Sequence, residues 1–146
     1  MCGIAGLIHR GKSSNVGTEL PQMLQALKHR GPDSTGYALY ADNDGQNFIL
    51  RFKVGENVGE GSSSINEDDS VYDERKKLVD RMLSDLGARV VKENKLTPYS
   101  YRYEMKYDKD LMEFSKKIES IQSVEILSIG KSLELIKDLG DAKEVS

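Results

Sequence analysis

Apolar residues recur along this chain with two different periods, and the change of period marks its elements. Gly3 to His9 is small and apolar enough for a buried strand. From Thr18 to His29 the spacing becomes helical, with Leu20, Met23, Leu24 and Leu27 at i, i+3, i+4 and i+7. Thr18 is placed to cap that helix, and Pro21 falls in its first turn, where a missing N–H costs little. His29-Arg-Gly-Pro-Asp33 breaks the pattern with a Gly-Pro pair. Two strand-like runs follow, Gly36 to Ala41 and Phe48 to Val54, and Asp42-Asn-Asp-Gly45 between them reads as a hairpin turn.

Residues 55–70 change character, with three Gly, four Ser and five acids against only Val58 and Ile65. That composition predicts a solvated linker. Beyond it, Tyr72 to Leu86 is helical, with Leu78, Val79, Met82 and Leu86 on one side and Gly87 placed to stop it. Arg89 to Lys92 is a short strand candidate. Tyr99 to Tyr107 alternates strictly, with Tyr99, Tyr101, Tyr103, Met105 and Tyr107 on one face. Asp108 is placed to cap a helix carrying Leu111, Phe114, Ile118 and Ile121, and Val124 to Ile129 is a further strand. The order αββαβ lacks only a first strand to become the split βαβ pattern of ferredoxin-like modules. After Lys131 the period is ambiguous between strand and helix. The expected organisation is therefore an N-terminal block at 1–54, an acidic linker at 55–70, an inserted α+β module at 71–129, and a tail, 130–146, that returns to the first block.

Composition narrows the class. The chain has 146 residues, 38% apolar and 31% charged, and a net charge of −3. This suits a globular domain, not a disordered or collagen-like chain. The apolar run from Ile4 to Ile8 is far too short for a membrane span and shorter than a signal-peptide core, so the reading is cytoplasmic. Seven acids and no base fall in 55–74, whereas the rest is mixed in sign. No basic block speaks for nucleic acid. The tyrosine face at 99–107 is expected to pack in a core rather than stack on bases. One Cys and two His leave too few soft ligands for a metal centre, and no cofactor is expected.

The chemistry begins at Met1-Cys2-Gly3-Ile4-Ala5-Gly6. A small residue at position 2 usually permits removal of the initiator methionine, which makes Cys2 the first residue. Its thiol, ordinarily near pKa 8.5, is a strong nucleophile once ionised. Its α-amine, ordinarily at roughly 7.7–8.0, is close enough to neutral to take the thiol proton, so no catalytic His is required. Gly3 lets backbone approach a substrate closely. His9 and His29 read as structural or exposed.

A second motif, Leu27-Lys-His-Arg-Gly-Pro-Asp-Ser-Thr-Gly36, follows the first helix. With it the chain resembles the class II glutamine amidotransferases, a group of N-terminal nucleophile hydrolases. Their pattern opens Cys-Gly-Ile/Val-x-Gly and continues, after one helix, with an Arg-Gly-x-Asp-x-x-Gly loop. Cys2, Gly3, Ile4 and Gly6 match the first part, and Arg30, Gly31, Asp33 and Gly36 the second. The long insertion is also similar to that of archaeal proteins related to the glutamate synthase amidotransferase domain. The resemblance implies part of an αββα-type sheet, so the expected fold is α+β with an inserted ferredoxin-like module. It also implies that glutamine is the substrate, that Cys2 forms a glutamyl thioester, and that ammonia passes to a synthase partner. Arg30 and Asp33, with Gly31 and Gly36, would brace the loop beside the nucleophile.

The chain departs from that pattern as well. Family members carry a downstream Arg for the glutamine carboxylate, an Asn-Gly pair for the oxyanion and an Asp for the substrate amine, and this sequence has no Asn-Gly dipeptide. The expectation is the front part of an amidotransferase, inactive or weak alone, which needs a complementing subunit or self-association. The alternatives are a non-catalytic remnant and a regulatory or binding subunit.

Overall fold

The computed structural model describes residues 3–11, 15–30, 34–40, 46–55 and 69–145. Its elements in chain order are α1 (Val16–Gln25), a 3-10 turn (Lys28–Arg30), β1 (Ser34–Tyr40), β2 (Phe48–Lys53), α2 (Asp69–Leu86), β3 (Arg89–Lys95), β4 (Ser100–Lys106), α3 (Leu111–Glu119), β5 (Glu125–Gly130) and β6 (Leu133–Leu139). The class is α+β. The chain divides into two compact units, one of residues up to Ala38 together with those from Ile136, the other Leu39–Leu135.

The larger unit is a four-stranded sheet in the order β3-β4-β2-β5, with every neighbouring pair antiparallel. With α2 between β2 and β3 and α3 between β4 and β5, this is the split βαβ order. Its first strand is β2, which the sequence pattern had assigned to the N-terminal block, so the module takes in residues well before 71. The reason lies in β2 itself. Ile49, Leu50, Arg51 and Phe52 are all buried, a pattern that only a central strand covered on both faces sustains.

The expected β1–β2 hairpin does not form. β1 pairs with β6 in a separate two-stranded sheet, while β2 pairs with β4 and β5. The candidate turn at 42–45 and most of the acidic linker lie outside the described residues.

Alternation across β4 sets the core. Tyr101, Tyr103 and Met105 are buried, opposite Phe52, Leu50 and Phe48 in register. Phe52 stacks on Tyr101 at 5.4 Å between centroids and meets Tyr103 edge-on at 5.1 Å. Val79 and Leu83 of α2 and Phe114 and Ile118 of α3 close the same core. The tyrosine face is therefore interior packing. Leu78, expected on the apolar side of α2, is instead exposed. Gly87 ends that helix at φ +84, with the amide of Ala88 bonded to the carbonyl of Leu83. The cap of α3 is Asp110 rather than Asp108: its carboxylate accepts from the amides of Met112 and Glu113 at 2.7 and 2.9 Å.

Away from the helices, Glu134 accepts from Arg102 Nε and Nη2 at 2.9 and 2.8 Å and from Arg51 Nε at 2.7 Å. Those hydrogen bonds hold the Glu134 carboxyl below the usual range, Arg102 being the largest influence.

The smaller unit has a modest core of Leu20, Tyr37 and Ala142, joined by Ala5, Leu7, Val16, Leu24, Ile136 and Val145. Gly3–His9 is not the buried strand that its composition predicts. Ala5 and Leu7 face this core, but Ile4 and Ile8 are 91% and 89% exposed. Without a strand beside it among the described residues, the segment has one face against its own core and one uncovered. Among the described residues, no helix is long and apolar enough to cross a membrane.

Candidate functional site

The two sequence motifs meet within the smaller unit. α1 gives way to a 3-10 turn, in which the amide of Leu27 bonds to the carbonyl of Leu24 at 2.9 Å and that of Arg30 to the carbonyl of Leu27 at 2.8 Å. Pro32, two residues on, cannot continue a helix. The tightened turn brings Leu27 and Arg30 onto Gly3. A Cβ on that glycine would lie 3.1 Å from Leu27 Cβ and 3.6 Å from Arg30 Cβ. His9 fixes the other end of the N-terminal segment to α1, with Nε2 lying 3.1 Å from Glu19 Oε2.

Beside this contact is an open cleft of about 90 Å3. Gly3 and Gly36, one from each motif, both line it, together with Leu27, Lys28, Thr35 and Asp141. Gly3, Arg30 and Gly36 are thus drawn into one neighbourhood, with the Arg30 side chain exposed. Gly6, by contrast, has nothing within 4 Å of where a Cβ would stand. Cys2, Gly31 and Asp33 lie outside the described residues.

Lys28 and Asp141 did not stand out in the sequence. Lys28 Nζ donates to Asp141 Oδ2 at 2.8 Å, and Gln25 Nε2 donates to the same oxygen at 3.4 Å. The Lys28 ammonium, with further hydrogen bonds from backbone amides, brings the Asp141 carboxyl down to about 2, and Asp141 in turn raises Lys28. For Asp141 a signal was available: Asp141-Ala-Lys-Glu144 is a capping-box spacing. Nothing in the sequence marks Lys28, since its partner lies 113 residues away. The cleft is thus lined by glycine backbone from both motifs and by an ion pair. Among the described residues, no three His, Cys, Asp or Glu side chains gather where they could hold a metal.

No family model matches the chain, and no solved structure does. A curated relative does. A protein of Methanothermobacter thermautotrophicus named "Putative glutamine amidotransferase" is 33% identical over 155 aligned positions. The match covers all of this chain and 46% of the relative, so the chain spans under half the relative's length. The chain is related to a protein bearing an amidotransferase name, and the resemblance carried by its two motifs points the same way.

Proposed function

We propose that this chain carries the nucleophile-bearing part of a class II glutamine amidotransferase, with an N-terminal-nucleophile type of site. The observation that carries the reading is that Gly3 and Gly36, one from each motif and 33 residues apart in sequence, line one cleft. The relative's name supports the same chemistry.

In this reading Met1 is removed and the α-amine of Cys2 accepts the thiol proton. The Cys2 sulfur attacks the side-chain carbonyl carbon of glutamine, the carbon–nitrogen bond breaks, and the amine returns the proton to the departing ammonia. Water then attacks the thioester carbon, releasing glutamate and restoring the thiol. Ammonia goes to a synthase partner in the cytoplasm. Arg30, Gly31, Asp33 and Gly36 hold the loop beside the nucleophile. The Asn-Gly oxyanion donors are missing from this sequence, and each such donor is worth roughly 10²–10³ in rate. Hydrolysis therefore requires oxyanion donors from outside this sequence, such as a complementing subunit would supply.

The test is mass spectrometry of the mature N-terminus, then alkylation of Cys2, then a glutaminase assay beside Cys2→Ala. The reading expects a free N-terminal Cys2 that alkylates readily and little or no turnover by the chain alone. Retained Met1 overturns the amine-assisted mechanism. A processed but inert Cys2 favours the non-catalytic remnant. Cys2-dependent turnover near 1 s⁻¹ or above, inside the usual enzyme range of about 1–10³ s⁻¹, would show a complete site and overturn the need for a partner.

A further inference from the structure

The segment Gly3–His9 alternates strictly, with Gly3, Ala5 and Leu7 half-buried and Ile4, Gly6 and Ile8 exposed. A period of two is that of extended chain. Both ends are held inside the smaller unit, Gly3 against Leu27 and His9 Nε2 beside Glu19 Oε2. Between them, Ala5 and Leu7 face the unit's own core. Yet no backbone amide or carbonyl of the segment is hydrogen-bonded to another described residue. Elsewhere in the unit the backbone is tied down: Thr35 Oγ1 donates to the carbonyl of Gly140 at 2.9 Å, and the Tyr37 hydroxyl donates to the carbonyl of Ala142.

The segment is thus a strand in its periodicity but has no ladder. Ile4 and Ile8, at 91% and 89%, are the most exposed large apolar side chains among the described residues. Gly6 between them borders open space, which leaves room for another chain to approach. Apolar residues on both faces are the pattern of a strand paired within a sheet and covered on each side. A second copy of this chain meets that need poorly. Among the described strands β1 and β6 pair only with each other, so a second copy offers one more unpaired segment. Two strands alone make a ribbon of marginal stability. The occupant must bring strands of its own.

We propose that Gly3–His9 is a docking strand for a polypeptide of one kind: a strand-forming, apolar-faced part of the amidotransferase that this sequence does not contain. That polypeptide pairs its backbone with the free amides and carbonyls of the segment and lays apolar side chains over Ile4 and Ile8. Main-chain pairing supplies affinity, and the alternating Ile face fixes the register. The choice of partner rests on the amidotransferase reading. The Methanothermobacter relative matches all of this chain, and more than half of its own length has no counterpart here. A polypeptide of that length has room for several strands.

The test co-expresses the full chain with the part of the relative that has no counterpart here, and reads co-purification and amide exchange. In the chain alone, the amides of Ile4–His9 should exchange within about tenfold of an unstructured peptide, and in the complex at least about a hundredfold more slowly. Ile4→Asp/Ile8→Asp should abolish co-purification, because it drives two carboxylates into an apolar contact. The amides of β2 and β4 should stay as protected as in the parent, which shows that this variant folds. Ile4→Val/Ile8→Val should still co-purify. Absence of a complex, or a complex in which these amides stay fast or the aspartates have no effect, overturns the proposal. A homodimer of the chain alone with the same amides protected also overturns it, since the occupant is then a second copy. A complex that forms as expected yet hydrolyses no glutamine counts against the amidotransferase reading and leaves the docking strand standing.

Discussion

Leu27 leaves no spare room beside Gly3: a methyl group added to the glycine would stand 3.1 Å from Leu27 Cβ. The contact joins the residue next to the candidate nucleophile to the turn that opens the second motif. Gly3→Ala should therefore force Leu27 to yield by a few tenths of an ångström, at about 1 kcal/mol for this mild overpacking. Gly6→Ala meets open space and should stay within about 0.5 kcal/mol of the parent. Amide exchange along α1, compared between the two variants, separates them. Equal protection in both would mean that the Gly3 contact carries no weight.

Glu134 binds two arginines at once, and its carboxyl is held below its ordinary value. A carboxylate with a depressed folded-state pKa stabilises the fold above its unfolded pKa, roughly 4.3, and that contribution fades as pH falls through the lower folded value. Glu134→Gln should cost about 2 kcal/mol near pH 7, the pair being largely but not wholly buried, and flatten the acid limb of stability. Urea titrations at pH 7 and pH 3 measure both effects. A cost that is unchanged between the two pH values would rule out a charged contribution.

Asp141 should titrate near 2, visible in the carboxyl carbon shift by NMR. Lys28→Ala removes the largest cause of that depression and should move the titration up toward the ordinary carboxylate range. By the same sign rule, whatever Asp141 contributes to the smaller unit is present above about pH 4 and is lost on descent toward pH 2. An unmoved titration would show that the capping-box amides, rather than Lys28, dominate.

Phe114 is fully buried where α3 meets the sheet, with its ring 4.8 Å from that of Tyr107. Phe114→Ala should cost about 3–5 kcal/mol by removing that ring from a close-packed core. Chemical denaturation gives the number directly. A loss below about 1 kcal/mol would mean that the helix repacks into the space.

Periodicity was enough to find α1, α2, α3 and the tyrosine strand, because each has a face whose burial repeats at its own geometric period. Pairing was not legible in the same way. Phe48–Lys53 reads as a strand wherever it sits, and the turn-like Asp42–Gly45 made its sequence neighbour look like its partner. What decides is that Leu50 and Phe52 match Tyr103 and Tyr101 across fifty residues, a complementarity that no local window contains. Gly3–His9 misled for the converse reason: apolar content shows that a segment can be buried, not that anything is there to cover both faces. Of the motif residues, the structure brings Gly3, Arg30 and Gly36 together, whereas the motifs passed over their neighbours Lys28 and Asp141. A lone lysine after a helix has no signature until its partner is brought to it.

The bond from Tyr37 to Ala142 spans 105 residues of sequence. In an unfolded chain, closing so long a loop costs roughly 3 kcal/mol more than closing a tight turn, from the logarithmic growth of loop entropy. The unit built from Leu39–Leu135 is continuous in sequence and can form first, whereas the smaller unit is assembled from two distant stretches of chain. Once the continuous unit has folded, the path between β1 and β6 is no longer a random coil, and most of that entropy has already been spent. Connectivity thus favours one order of events, in which Leu39–Leu135 is expected to fold early and the cleft beside Gly3 to take shape later.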